Sequence, residues 1–391
     1  MIEKCNICGS EIKKENVHNS LLKDYVGLNM DYTQEICLCD NCEFIFVRNP
    51  LNQEQLDEQY KNFSKYEFES DSVDVKETYK RRCNEQKAFI ENSLGGGIFK
   101  NMLEIGAASG FNLSLYSNID VFGIEPSKWN CDNAKKVFDV DMYSGTFQEY
   151  VREFPDEKFD FIFLSHTLEH IVNPSEFIGE CSKINNKYFF IEVPSFDYKF
   201  RDEPFGMFTD EHVNMFTFES LQNLMNRHGY TLVNAEIPFV IADIIPSGYP
   251  AIRTLWEKSS KITVINPVYS TELLFKTYLS WSGEELNKIN AKIDSIPDDS
   301  NVALWGIGNT ASRILGSTNL CEKNIVRVYD GDKRKHGLVF AGSKISAFDS
   351  EDIEQGIIDT IVITTCKVQN TLLKILEPYG NKVNIVTLFE V

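Results

Sequence analysis

The run Asn101-Met-Leu-Glu-Ile-Gly-Ala-Ala-Ser-Gly110 constrains this chain more than any other stretch. It reads as a short apolar strand, a loop of small residues, and a helix starting near Phe111. Gly106 and Gly110 let the backbone come close to a ligand, and the helix start behind them offers free N–H donors. The next strand, Val121-Phe-Gly-Ile-Glu125, ends in an acid 21 residues after Glu104, placed to accept the two hydroxyls of a ribose. Further strand regions follow at 140–143, 159–164 and 188–193. This alternation predicts a doubly wound α/β core around a nucleotide.

A glycine-rich loop alone does not choose the nucleotide, because dinucleotide folds use one too. Glu104 inside the loop does choose. A pyrophosphate would meet like charge there, whereas a cationic sulfonium amino acid gains from a nearby carboxylate. At this point the sequence resembles the class I S-adenosylmethionine-dependent methyltransferases. Their small-residue loop, acid-ended second strand and H-x-L-E-H segment match LEIGAASG, FGIEPS and SHTLEHI here, across about residues 98–235. The resemblance implies that Glu104, Gly106, Ala107 and Gly110 line the methionine end of the cofactor. It also implies Glu125 on the ribose, Phe147 near the adenine, and Ser165 and His166 at the cofactor's border.

Five of the ten cysteines lie in the first 42 residues. Cys5-Asn-Ile-Cys8 and Cys39-Asp-Asn-Cys42 place four thiolates on two tight turns, as a closed tetrahedral zinc site requires. Such a site has no open coordination position and is expected to be structural. Cys37 could replace Cys39 only through a less usual C-x4-C turn. Phe44–Val47 is expected to be a strand folded onto this knot.

A second α/β signature begins at Val302-Ala-Leu-Trp-Gly-Ile-Gly308, continues through Val326-Arg-Val-Tyr-Asp330, and includes the apolar strand Ile361–Thr365. Gly306 and Gly308 put a helix start beside Ser312 and Arg313, suited to a diphosphate. Lys333 to His336 form a basic cluster just past Asp330. Taken with the zinc lobe and the central core, this segment resembles the bacterial nucleotide-sugar methyltransferases, especially the sugar C-methyltransferases. The organisation expected is a zinc-binding lobe (1–50), a methyltransferase core (51–240), a helical connection (241–300) and a C-terminal Rossmann-like unit (301–391). The resemblance implies a nucleotide-linked sugar held through its diphosphate by Gly306, Gly308, Arg313, Asp330 and Lys335.

Methylating a sugar carbon requires a base to remove the proton beside a keto group. The stretch Thr209-Asp-Glu-His212 matches the base-bearing segment of the sugar C-methyltransferases at Glu211 and His212. Thr209 stands where that family has tyrosine, so an oxygen acceptor stays open beside carbon. His170 and Tyr66 are the further catalytic candidates. Two other readings remain: a non-catalytic zinc- and nucleotide-binding protein, and an oxidoreductase using the Gly306/Gly308 loop.

Charge and hydropathy narrow the partners. With 39 basic and 58 acidic side chains the net charge is −19, which disfavours binding nucleic acid through neutralised phosphates. The longest apolar stretch, Ile237–Ile245, is broken by Pro238 and Asp243 and falls well short of the roughly 20 residues a membrane span needs. MIEKCNICGSEIKK lacks the apolar segment of a secretory signal, and a cytoplasmic location is expected.

Overall fold

The computed structural model describes residues 1–13, 17–26, 30–52, 55, 75–96, 99–197, 203–242, 245–259 and 270–390. Within them the strands form three sheets.

The central sheet is built on the expected strands. Met142–Ser144, Asp120–Glu125, Asn101–Ile105, Phe159–Ser165 and Asn185–Pro194 run parallel in that spatial order. Residues on both faces of Phe159–Ser165 are buried, as in a parallel sheet covered by helices on each side. The helix Glu77–Leu94 packs Phe89 and Ile90 against one face, and Pro174–Ile184 packs Phe177 and Ile178 into the other core.

One element departs from the expected helical connection. Ile245–Lys258 is a 14-residue strand wedged antiparallel between Asn185–Pro194 and Tyr230–Glu236. Its run from Ala251 to Trp256 is buried throughout, Arg253 and Thr254 included. A strand with both faces buried loses the polar alternation that marks a strand in sequence. The helical part of the connection is real but shorter, Thr271–Asp294.

The N-terminal residues build a four-stranded antiparallel sheet from Val17–Tyr25, Met30–Leu38, Ile45–Val47 and Asn214–Met215. Its last strand comes from the segment after Asn185–Pro194. Cys5, Cys42, Phe44 and Phe46 therefore share one apolar cluster with Leu103, Ile162 and Phe216. Glu43, buried in this lobe, accepts the N–H groups of Thr271 and Glu272 at the start of the helix Thr271–Asp294. A carboxylate there satisfies orphan donors and favours the helix dipole.

The third sheet has Thr360–Ile363, Val302–Trp305 and Ile325–Tyr329 at its centre, parallel, with Asn309–Ser317 as the first crossover helix. No helix among the described residues is long and apolar enough to cross a membrane.

Candidate active site

The site forms at the carboxyl ends of the central parallel strands, where open α/β sheets bind ligands. In the first loop Gly106 and Gly110 take φ values of +77° and +73°, and Ala108 takes +46°. A Cβ on Gly106 would lie 2.6 Å from Thr167 Oγ1, so only glycine lets the two loops approach. Glu104 is buried, its Oε2 without a hydrogen-bond partner among the described residues, and burial pushes its carboxyl up to about 8. Glu125 closes the next strand. Its carboxylate accepts the N–H groups of Ala108 and Ser127 at 3.0 Å each, and burial raises its pKa. Oε1 also accepts from Asn130 Nδ2 at 3.4 Å, while Oε2 keeps a second lone pair for a further donor.

The fourth strand delivers a charged cluster that sequence reading caught only in part. His166, at φ +53°, lies 3.3 Å from both Glu169 and Glu192. Burial and the nearby Arg82 pull the imidazole down, but the two carboxylates outweigh them and hold it above its ordinary range. Burial works against ionised Glu192 too, yet His166 and Arg253 keep it at about 2. Arg253 Nε donates to Glu192 at 2.5 Å, and Gln86 donates to Glu192 at 2.7 Å and to Ser165 Oγ at 2.9 Å. Arg82, Gln86, Glu169, Glu192 and Arg253 were missed. Glu169 and Glu192 had a signal, each being an acid just past or within the carboxyl end of a predicted strand. The helix carrying Arg82 and Gln86 offered none.

The loop after the fifth strand returns to this edge. Val213 N–H bonds the Glu169 carbonyl, and Asn214 Nδ2 bonds the carbonyls of Leu168 and Ile171. These ties set His212 edge-on against His170, ring centroids 4.9 Å apart. His170 Nδ1 faces the Glu211 carbonyl at 3.0 Å. A carbonyl only accepts, so Nδ1 carries the proton and Nε2 is the basic nitrogen of the neutral ring. Thr209, at the tyrosine position, accepts the His212 N–H at 3.1 Å. Tyr66 lies outside the described residues.

Several expected contacts are directed elsewhere. Phe147 is buried and packs edge-on against Phe177, 5.0 Å between centroids, so its ring belongs to the core and not to an adenine face. Ala107 is fully buried. In the C-terminal unit Asp330 accepts the Ile307 N–H at 2.7 Å, while Lys335 Nζ bonds Asp330 and the Ile307 carbonyl. The acid and the lysine thus close their own glycine loop. Gly306 takes φ +98° against Thr365, and Gly308 has open space beside it. Arg313 is buried, with its guanidinium committed to protein acceptors. The diphosphate seat expected from Arg313, Asp330 and Lys335 is therefore occupied by the protein itself.

The four N-terminal thiols converge. Cys5–Cys42 and Cys8–Cys39 sulfurs are 3.5 Å apart, and all four lie within 4.8 Å of one another. A tetrahedron with metal–sulfur bonds of about 2.3 Å has sulfurs about 3.8 Å apart, so the donor set fits zinc. Cys37 is not one of this set; it is buried in the strand Met30–Leu38, where burial pushes its thiol up to about 12.

A family model described as a methyltransferase domain matches residues 54–235, the span that holds the glycine loop, Glu125 and His170. The chain carries a methyltransferase domain with a class I, Rossmann-like core. No curated protein matches it. Similar solved structures include an S-adenosylmethionine-dependent methyltransferase from Archaeoglobus fulgidus, 17% identical, covering 46% of this chain and 94% of that one, TM-score 0.35. Magnesium protoporphyrin IX methyltransferase from Synechocystis PCC 6803, with the cofactor bound, is 11% identical over 54% of this chain and 98% of that one, TM-score 0.38. The residues of this methyltransferase fit the cofactor. The Glu104 Oε2, without a hydrogen-bond partner among the described residues, suits a cationic amino-acid end.

Proposed function

We propose that this methyltransferase acts on a nucleotide-linked sugar and methylates a carbon beside a keto group. His212 would be the base, and a structural zinc would be held by Cys5, Cys8, Cys39 and Cys42. The cofactor supplies an electrophilic methyl group when bound. Glu104, Gly106 and Gly110 would hold its methionine end and Glu125 its ribose. The observation that carries the reading is the His170–His212 pair at the carboxyl edge of the sheet, beside the small-residue loop. An imidazole, whose unperturbed pKa is about 6.5, is the side chain suited to proton abstraction near neutral pH, whereas a carboxylate would need a raised pKa. His212 would take the proton from carbon, the C–CH3 bond would form as the S–CH3 bond breaks, and the imidazolium would return its proton to solvent. The nucleotide part of the reading rests on the resemblance of the whole chain, since Arg313, Asp330 and Lys335 serve the protein itself.

The test is exchange of the sugar's acidic C–H with deuterated water, using a nucleoside-diphosphate keto sugar and S-adenosylhomocysteine. Wild type should exchange. His212→Asn should slow exchange and turnover roughly 100-fold while cofactor affinity stays within about twofold. A mutant rate within about threefold of wild type would move the base to His170. Thr209 favours a second reading, because its hydroxyl is spent on a backbone N–H and supplies no phenol. An O-methyltransferase would show turnover without any exchange.

A further inference from the structure

Residues 203–212 are gripped by groups that lie far away in the chain. Arg313, on the helix Asn309–Ser317, donates Nη1 to the Phe205 carbonyl at 3.1 Å and Nη2 to the Phe208 carbonyl at 2.6 Å. Its Nε donates to Ser20 Oγ of the N-terminal sheet at 2.9 Å. Asp210, buried, accepts from Tyr25 Oη on one side and Asn309 Nδ2 on the other. Gln34 Nε2 donates to the Thr209 carbonyl at 2.8 Å, and Thr310 Oγ1 donates to Glu203 at 2.9 Å. The backbone here is strained. Phe205 sits at φ +55°, a left-handed conformation that an aromatic side chain rarely adopts. Its N–H is held by Ser282 Oγ of the helix Thr271–Asp294, and its carbonyl by Arg313. Both sides of the strained residue are thus pinned from outside the methyltransferase core.

We propose that the C-terminal unit is a clamp that sets His212 and Glu211 against His170, with Arg313 as its positioning residue. This deepens the assignment of His212 as base and rests on it. The Rossmann-like topology keeps its shape here but gives another use to its polar groups. Asp330 and Lys335 close the glycine loop, which fixes the start of the helix, and the helix aims Asn309, Thr310 and Arg313 at the base-bearing segment. A planar fork suits this task because it reaches two carbonyls three residues apart while a third nitrogen reaches Ser20. Lysine keeps the charge but cannot make that pattern.

The experiment uses the full chain as Arg313→Lys and, as a milder variant, Asn309→Ala. Hydrogen–deuterium exchange of peptides spanning 203–216 should rise at least tenfold in Arg313→Lys and by a smaller factor in Asn309→Ala. Peptides containing 101–105 and 159–165 should stay within about twofold of wild type. The chain has only six histidines, so their ring resonances separate. Those of His170 and His212 should shift and broaden, while those of His228 and His336 should not. Affinity for S-adenosylmethionine, by equilibrium dialysis, should change by less than twofold. Unchanged exchange at 203–216, or equal loosening everywhere, would overturn the clamp. So would loss of uridine or thymidine diphosphate binding in Arg313→Lys with the segment still protected, since that would make Arg313 a ligand contact. If the segment loosens but His212→Asn keeps the wild-type rate, the clamp stands and the base assignment fails.

Discussion

At the scale of single residues, Glu104 carries the most testable chemistry. Its carboxyl is buried, with one oxygen unpartnered among the described residues, and burial pushes it up to about 8. A folded-state pKa raised above the unfolded value of roughly 4.5 means that stability is complete below that value. It is then lost as pH rises toward 8. A cationic ligand pairs with the ionised form, so cofactor binding must remove the proton at neutral pH. We therefore expect S-adenosylmethionine affinity to rise between pH 6 and 7.5, by up to about tenfold per unit. Glu104→Gln should flatten that slope and weaken binding at pH 7.5. Its unfolding midpoint should also fall less than that of wild type between pH 5 and 8. Equilibrium dialysis and thermal melts across this range check both expectations. Parallel slopes for the two proteins would remove Glu104 from the cofactor contact. The acid's presence in the loop was legible in sequence. Its protonation was not, because burial sets it.

At the scale of elements, the joint between the first and fourth strands decides how close a ligand can come. Gly106 is left-handed, and Thr167 Oγ1, which donates to the Ile105 carbonyl, occupies the place of its missing Cβ. Gly106→Ala should cost about 1–3 kcal/mol in denaturant melts and reduce cofactor affinity tenfold or more. A neutral result in both would mean that the loop relaxes and does not form a fixed cradle. The helix starts and the parallel strands followed from glycine placement and apolar runs, since those signals are local. Ile245–Lys258 did not. Its central residues are buried on both faces, and its central-sheet partner Asn185–Pro194 lies far before it in the chain. Strand identity there comes from pairing, which no window of sequence contains.

At the scale of the whole molecule, the four-cysteine knot and the methyltransferase sheet share one apolar cluster. Metal binding and the folding of both should therefore be linked. Protein purified without added zinc should hold about one equivalent, and Cys39→Ser should lose it, because Cys37 lies outside the thiol group. Chelation should lower the main unfolding transition instead of melting a separate early one. An independent early transition would show that the lobe folds alone. The spacing of two C-x-x-C pairs, a glycine loop with an internal acid, and an acid-ended strand are chemical facts of neighbouring residues, and the sequence alone determined them. It could not say which polar groups face a ligand. Arg313 meets partners 105, 108 and 293 positions away, and Asp210 is bonded across 185 positions. A diphosphate seat and an internal clamp use the same residue types. Only the tertiary structure decides between them, because a buried donor bonds whichever acceptor the packing brings within reach.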